Sequence, residues 1–235
     1  MRNFLLYGGK STADFNVWIS GSGVYDAPVR DVDRISIPGR NGDLVIDNGR
    51  FENVTMKYPA FIPRDFKTNM AAFRSYMKSM VGYQRLEDTY HQEYYYDALL
   101  IDEFDPDVYA NKAGEFEIVF DRKPQRWLKS GEEFLPTITS SSATIHNPTL
   151  FEAKPLIRVY GTGTFYVGGI AVSVTTNPAY IDIDCEIQDC YYGLNNLNAN
   201  VELLSGVFPT IPAGDVGISK GSLSSIQIKP RWWEL

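Results

Sequence analysis

Apolar and polar residues alternate along most of this chain, and the period changes once. Asp33-Arg-Ile35-Ser-Ile37 alternates, a turn follows at Pro38-Gly-Arg-Asn-Gly-Asp43, and Leu44-Val-Ile46 resumes the pattern. Asn-Gly between two such runs predicts a β-hairpin, because both residues tolerate positive φ. Phe51, Val54, Met56, Tyr58 and Phe61 continue with strand-like residues. Between Pro63 and Gly82 the apolar positions follow a helical period instead. Phe66, Met70, Phe73, Met77 and Met80 fall alternately four and three residues apart, on one face. Pro63 suits the start of this helix and Gly82 its C-terminal cap. A Met- and Phe-rich stripe of this kind predicts a helix lying on a sheet. Tyr83–Tyr90 and Tyr94–Ile101 predict a second hairpin turning near His91, Asp102–Lys112 a polar connection, and Gly114–Phe120 another strand.

The strand pattern stops at Lys123-Pro124, and the composition changes soon after. Residues 1–130 hold 17 Lys+Arg and 19 Asp+Glu, whereas residues 131–235 hold 5 and 10. A strand, a proline stop and a shift in charge density together mark a domain boundary. The expected organisation is an N-terminal β domain over 1–130, a linker over 131–146 with Pro136 and a serine cluster, and a second β domain over 147–235. Short strands are predicted at Leu156–Tyr160, Thr164–Val167, Ile170–Thr175, Tyr180–Ile187, Asn200–Leu204, Val216–Lys220 and Ser225–Lys229. Gly161-Thr-Gly163, Gly168-Gly169 and Asn177-Pro178 punctuate them as turns. Short, evenly spaced strands without a helix predict a β-sandwich.

At 44% hydrophobic and 22% charged residues, the chain has enough apolar material for packed cores. Fifteen Tyr, 13 Phe and 4 Trp suit both strands and interfaces. A net charge of −7 argues against nucleic-acid binding, which needs clustered Lys and Arg. No stretch has the length of a membrane span, and the apolar run before Gly8 is too short for a signal-peptide core. Synthesis in a cytoplasm, with no membrane insertion, is the expectation. Cys185 and Cys190 differ in strand parity, so a disulfide would need a turn between them. Free buried thiols fit cytoplasmic synthesis.

Few residues suggest chemistry. Asp182, Asp184 and Glu186 fall on one face of a predicted strand, where a solvated row is expected, not a cation cage or a glycosidase pair. His91 and His146 are the only histidines, and neither is near a nucleophile elbow. No glycine pair sits between a strand and a helix as a phosphate loop would. No enzyme activity, metal or cofactor is expected. Tyr191, Tyr192, Trp232 and Trp233 are candidates for an aromatic contact surface that could stack on sugars, with core or interface packing the expected reading.

Several runs, in order along nearly the whole chain, carry a resemblance. They are Arg34-Ile-Ser-Ile-Pro-Gly-Arg-Asn-Gly-Asp-Leu44, Asp47, Arg50-Phe-Glu-Asn-Val54, Tyr58-Pro59, Lys123-Pro-Gln-Arg-Trp-Leu128 with Gly131, Asn147-Pro-Thr149, Glu152–Gly163, Tyr180–Asp189 and Ile228–Leu235. Together they resemble the distal tail proteins (Dit) of siphophages, long-tailed bacteriophages whose tail tip or baseplate is built on such hubs. The resemblance implies a mainly β fold: a ring-forming N-terminal β domain with one α-helix and a hairpin, then a C-terminal galectin-like β-sandwich. It implies a structural virion protein at the tail tip, forming a homo-hexamer that joins the tail tube protein to the tail-tip protein and to receptor-binding or baseplate proteins. DNA would pass the lumen without specific binding. Arg40, Asn41, Gly42 and Asp43 are candidate ring-interface residues under this reading. The alternative is a carbohydrate-binding module of an adhesion device that recognises cell-wall saccharides.

Overall fold

The computed structural model describes residues 2–21, 26–101, 103–109, 112–175 and 178–235. The chain divides into two compact units, Met1–Arg126 together with Leu235, and Trp127–Glu234. Asn177 of the expected Asn177-Pro178 turn lies outside the described residues.

The first unit contains β1 (Leu5–Tyr7), β2 (Lys10–Ser11), β3 (Trp18–Ile19), β4 (Arg30–Ile35), β5 (Leu44–Phe51), β6 (Val54–Ile62), α1 (Phe66–Ser79), β7 (Gln84–Asp88), β8 (Tyr94–Leu100), β9 (Asp107–Tyr109) and β10 (Ala113–Arg122). Its main antiparallel sheet runs β2-β1-β7-β8-β10-β6-β3, with β9 also pairing β10. Strict alternation builds it. Val54, Met56, Tyr58, Ala60 and Ile62 of β6 are buried, whereas Thr55, Lys57 and Pro59 are exposed. β10 pairs β6 from Gly114 opposite Ile62 to Arg122 opposite Val54. Helix α1 buries Phe66, Met70, Phe73 and Met77 in the same core as β6 and β10. Each such side chain contributes about 1.5–3 kcal/mol by leaving water. Met80, expected on the helix, is its extended C-cap. The second hairpin forms from β7 and β8, and the Asp88 carboxylate accepts the Tyr90 and His91 amides in its loop.

The second unit contains two five-stranded antiparallel sheets. After β11 (Arg126–Leu128) come β12 (Ser142–Asn147), β13 (Leu156–Tyr160), β14 (Gly163–Val167), β15 (Ile170–Val174), β16 (Ile181–Asp184), β17 (Asp189–Tyr192), β18 (Asn195–Asn196), β19 (Val201–Leu203), β20 (Gly214–Ser219), β21 (Ser225–Lys229) and β22 (Trp233–Glu234). The sheet orders are β12-β20-β14-β15-β19 and β18-β17-β16-β13-β21. Residues from both, among them Ile157, Phe165, Val172, Ile183 and Ile218, share one core. The molecule is thus mainly β, with a single α-helix among the described residues and, in the second unit, two sheets packed on one core.

Two details depart from the simple alternation. Residues 131–138 are hydrogen-bonded beside β21, through Leu135 to Ile228 and Ile138 to Ile226. Gly131 admits the backbone of Trp232, which any side chain there would displace. The strand expected over Tyr180–Ile187 stops at Asp184, because the Asp184 carboxylate accepts the Glu186 and Ile187 amides and starts a turn. The chain returns as β17, which sets Cys190 opposite Ile183 and inside the core. Cys185 and Cys190 are both buried and free.

Candidate self-assembly surface

The hairpin of β4 and β5 forms a two-stranded sheet of its own. Ile35 pairs directly with Leu44, so eight residues make its tip, including Arg40, Asn41, Gly42 and Asp43. Gly39 and Gly42 take φ of +80° and +81° there, a region glycine enters freely. The base is fixed by charge-assisted contacts. Arg30 bonds Asp47 at 2.6 Å, Arg50 bonds Asp31, and the Arg30 guanidinium lies over the Phe51 ring. Closer to the core, Arg122 is fully buried and donates at 2.9 Å to the carbonyl of Asp26, just before β4.

Every residue from Asp33 to Arg50 is exposed. Antiparallel pairing puts Ile35, Leu44 and Ile46 on one face and Arg34 and Val45 on the other. Val45 is 55% exposed and Ile46 46%, with Ile35, Ile37 and Leu44 also open to solvent. An isolated two-stranded hairpin is marginal in water, and contiguous apolar residues at a surface mark a contact site. The arrangement offers a solvent-facing apolar surface.

The residues weighed for chemistry are accounted for otherwise. Asp182 and Asp184 do not form a solvated row; both are buried. Asp182 lies opposite Arg158 in β13 and accepts two bonds from it, at 2.7 and 2.8 Å. Asp184 accepts two from Arg231, both at 2.6 Å. Burial alone would raise the Asp184 carboxyl, but the bonds from Arg231 and two backbone amides hold it below the ordinary carboxylate value. Glu186 sits beyond the strand, 3.6 Å from Lys154. Sequence reading missed Arg158 and Arg231 as partners, since only the strand register brings them to the carboxylates. Burial pushes both thiols up, Cys190 to about 12. His146 contacts Asp215 at 2.7 Å across two strands on an exposed surface. Among the described residues, no group of three or more His, Cys, Asp and Glu is arranged to hold a metal, and no helix is long and apolar enough to cross a membrane.

The four aromatics occupy different settings. Trp232 is buried in the core of the second unit. Trp233 stacks on Phe151 at 4.4 Å and donates its indole N–H to the Glu152 carbonyl. Tyr192 packs edge-on against Tyr180, and Tyr191 lies opposite Asp182 and Asn196. Each is half-buried except Trp232.

No protein-family model and no curated protein matches the chain. Among solved structures, the SPP1 phage protein Dit (gp 19.1) matches with a TM-score of 0.76 and 11% identity, over 100% of both chains. That protein is described as a paradigm of hub adsorption apparatus in phages that infect Gram-positive bacteria. The likeness spans the full length of both chains and establishes a shared fold with that phage hub protein.

Proposed function

We propose that this chain is the structural hub of a siphophage tail tip, six copies of which close into a ring through the first unit. The uncovered β4–β5 hairpin carries this reading. It offers apolar side chains that no part of its own sheet covers, on a chain whose fold is that of a hub protein. A protruding patch that meets a different patch on the next copy gives a head-to-tail contact, and such contacts generate rings when the rotation closes. The tip residues Arg40, Asn41, Gly42 and Asp43 belong to that contact.

In the assembled particle the ring joins the tail tube protein to the tail-tip protein, and the second unit presents its surface to receptor-binding or baseplate proteins. DNA passes the lumen without specific binding. Assembly takes place in the bacterial host cytoplasm, and the protein resides at the tail tip of the virion.

Light scattering of the purified chain over a range of concentrations tests the ring. A species near six times the 26.5 kDa chain mass is expected. The variant Ile35→Asp with Leu44→Asp is expected to remain monomeric. A wild-type chain that stays monomeric throughout would overturn self-assembly.

A further inference from the structure

We propose that the hairpin of one copy docks, through Arg34 and Arg40, into an acidic groove on the first unit of the next copy. This inference rests on the ring reading above and names the surface that receives the hairpin. The groove has a volume of about 590 Å³ and lies on the outer face of β6 and β10. Pro59 and Phe61 give it an apolar floor, and Asp105, Asp107, Glu115 and Glu117 line it with carboxylates. Register places Glu117 opposite Pro59 and Glu115 opposite Phe61, so floor and wall share one sheet face.

The carboxylates are poorly balanced within the chain. Glu117 reaches Lys57 at 3.6 Å, in a pair exposed on both sides. Glu115 lies directly opposite Asp107 in the β9–β10 ladder. Like charges directly opposite each other repel, and an incoming cation relieves that repulsion. Of the hairpin's four arginines, Arg30 and Arg50 are held by Asp47 and Asp31. Arg34 and Arg40 have no acidic partner among the described residues, and Arg34 stands beside the exposed Val45. Guanidinium groups flanked by aliphatic side chains thus match carboxylates set around Pro59 and Phe61. Planar guanidinium pairs with carboxylate through two parallel bonds, which fixes orientation as well as attraction. No groove-lining residue belongs to β4 or β5. Donor and acceptor are separate patches on one chain, as a closing head-to-tail contact requires.

Charge reversal of the full-length chain, read by light scattering, tests the pairing. Arg34→Glu with Arg40→Glu, and separately Asp107→Lys with Glu115→Lys, should each weaken assembly about tenfold or more near physiological salt, where opposite charges in contact are only partly screened. The four changes combined should recover assembly to within about threefold of wild type, because reversed charges again match. Should the lysine variant misfold by circular dichroism, Asp107→Asn with Glu115→Gln replaces it, and weakened assembly is again expected. A groove variant that assembles like wild type, or a combined variant that gains nothing over its parents, overturns the groove. If Ile35→Asp with Leu44→Asp still abolishes the ring in that case, the ring reading stands and only the acceptor is wrong. A monomeric wild type overturns both.

Discussion

The β4–β5 hairpin and strand β16 invert the usual placement of residues in opposite ways. The hairpin keeps Ile35, Leu44, Val45 and Ile46 in solvent. Strand β16 keeps Asp182 and Asp184 out of it. Both segments alternate, and alternation reports only which residues share a face. What covers a face is decided by neighbours. In β16 the neighbours are Arg158 and Arg231, which satisfy both oxygens of each carboxylate, with Tyr180 and Phe134 lying over the Arg158 guanidinium. In the hairpin no neighbour within its own sheet does the same. A buried charge with its partner in the same chain belongs to folding, and the exposed apolar residues of the hairpin are the ones the proposed assembly would cover.

The largest effect is expected at β16. Asp184→Ala leaves Arg231 largely buried without its anion, and breaking such a pair costs about 3–5 kcal/mol. Urea unfolding followed by tryptophan fluorescence reads this loss. A loss under about 1 kcal/mol, the value of a surface ion pair, would remove the distinction between β16 and an exposed strand.

A smaller effect follows from pH. The Asp184 carboxyl is held below its ordinary value in the folded state, so the unfolded chain binds the proton more tightly. The stability this group supplies is present above the ordinary carboxylate value and is lost as pH falls through the lowered one. Asp184→Asn should flatten that part of the stability–pH curve between neutral and acidic pH. An unchanged curve would mean that other carboxylates set the acid limit.

Much of the fold was legible in the residues. The α1 stripe from Phe66 to Met77 and the β4–β5 turn at Pro38–Asp43 are local patterns, and each stands where its period predicts. Strands β13 and β21 match their predicted limits for the same reason. The burial of Asp182 was not legible, because Arg158 lies 24 residues away and only register sets them face to face. The early end of β16 was missed because the Asp184 side chain captures two amides that a strand would have used. The hairpin's exposure was equally hidden. Its alternation looks like that of β6, whose matching positions are buried beneath α1.

The smallest effect on stability is expected at the hairpin itself, and it sharpens the contrast most. Substitutions at exposed positions away from caps and buried pairs change stability by no more than about 0.5 kcal/mol. Ile35 and Leu44 are 44% and 40% exposed in the single chain and leave no cavity when replaced. The monomeric Ile35→Asp, Leu44→Asp variant should therefore unfold in urea at nearly the same midpoint as wild-type protein diluted to its monomer. The same change should remove the rise in midpoint that wild-type protein gains with concentration, because binding between copies stabilises only the folded state. A large loss in the dilute monomer would mean that the hairpin is packed within its own chain, and the apolar face would then belong to folding, as the β16 carboxylates do.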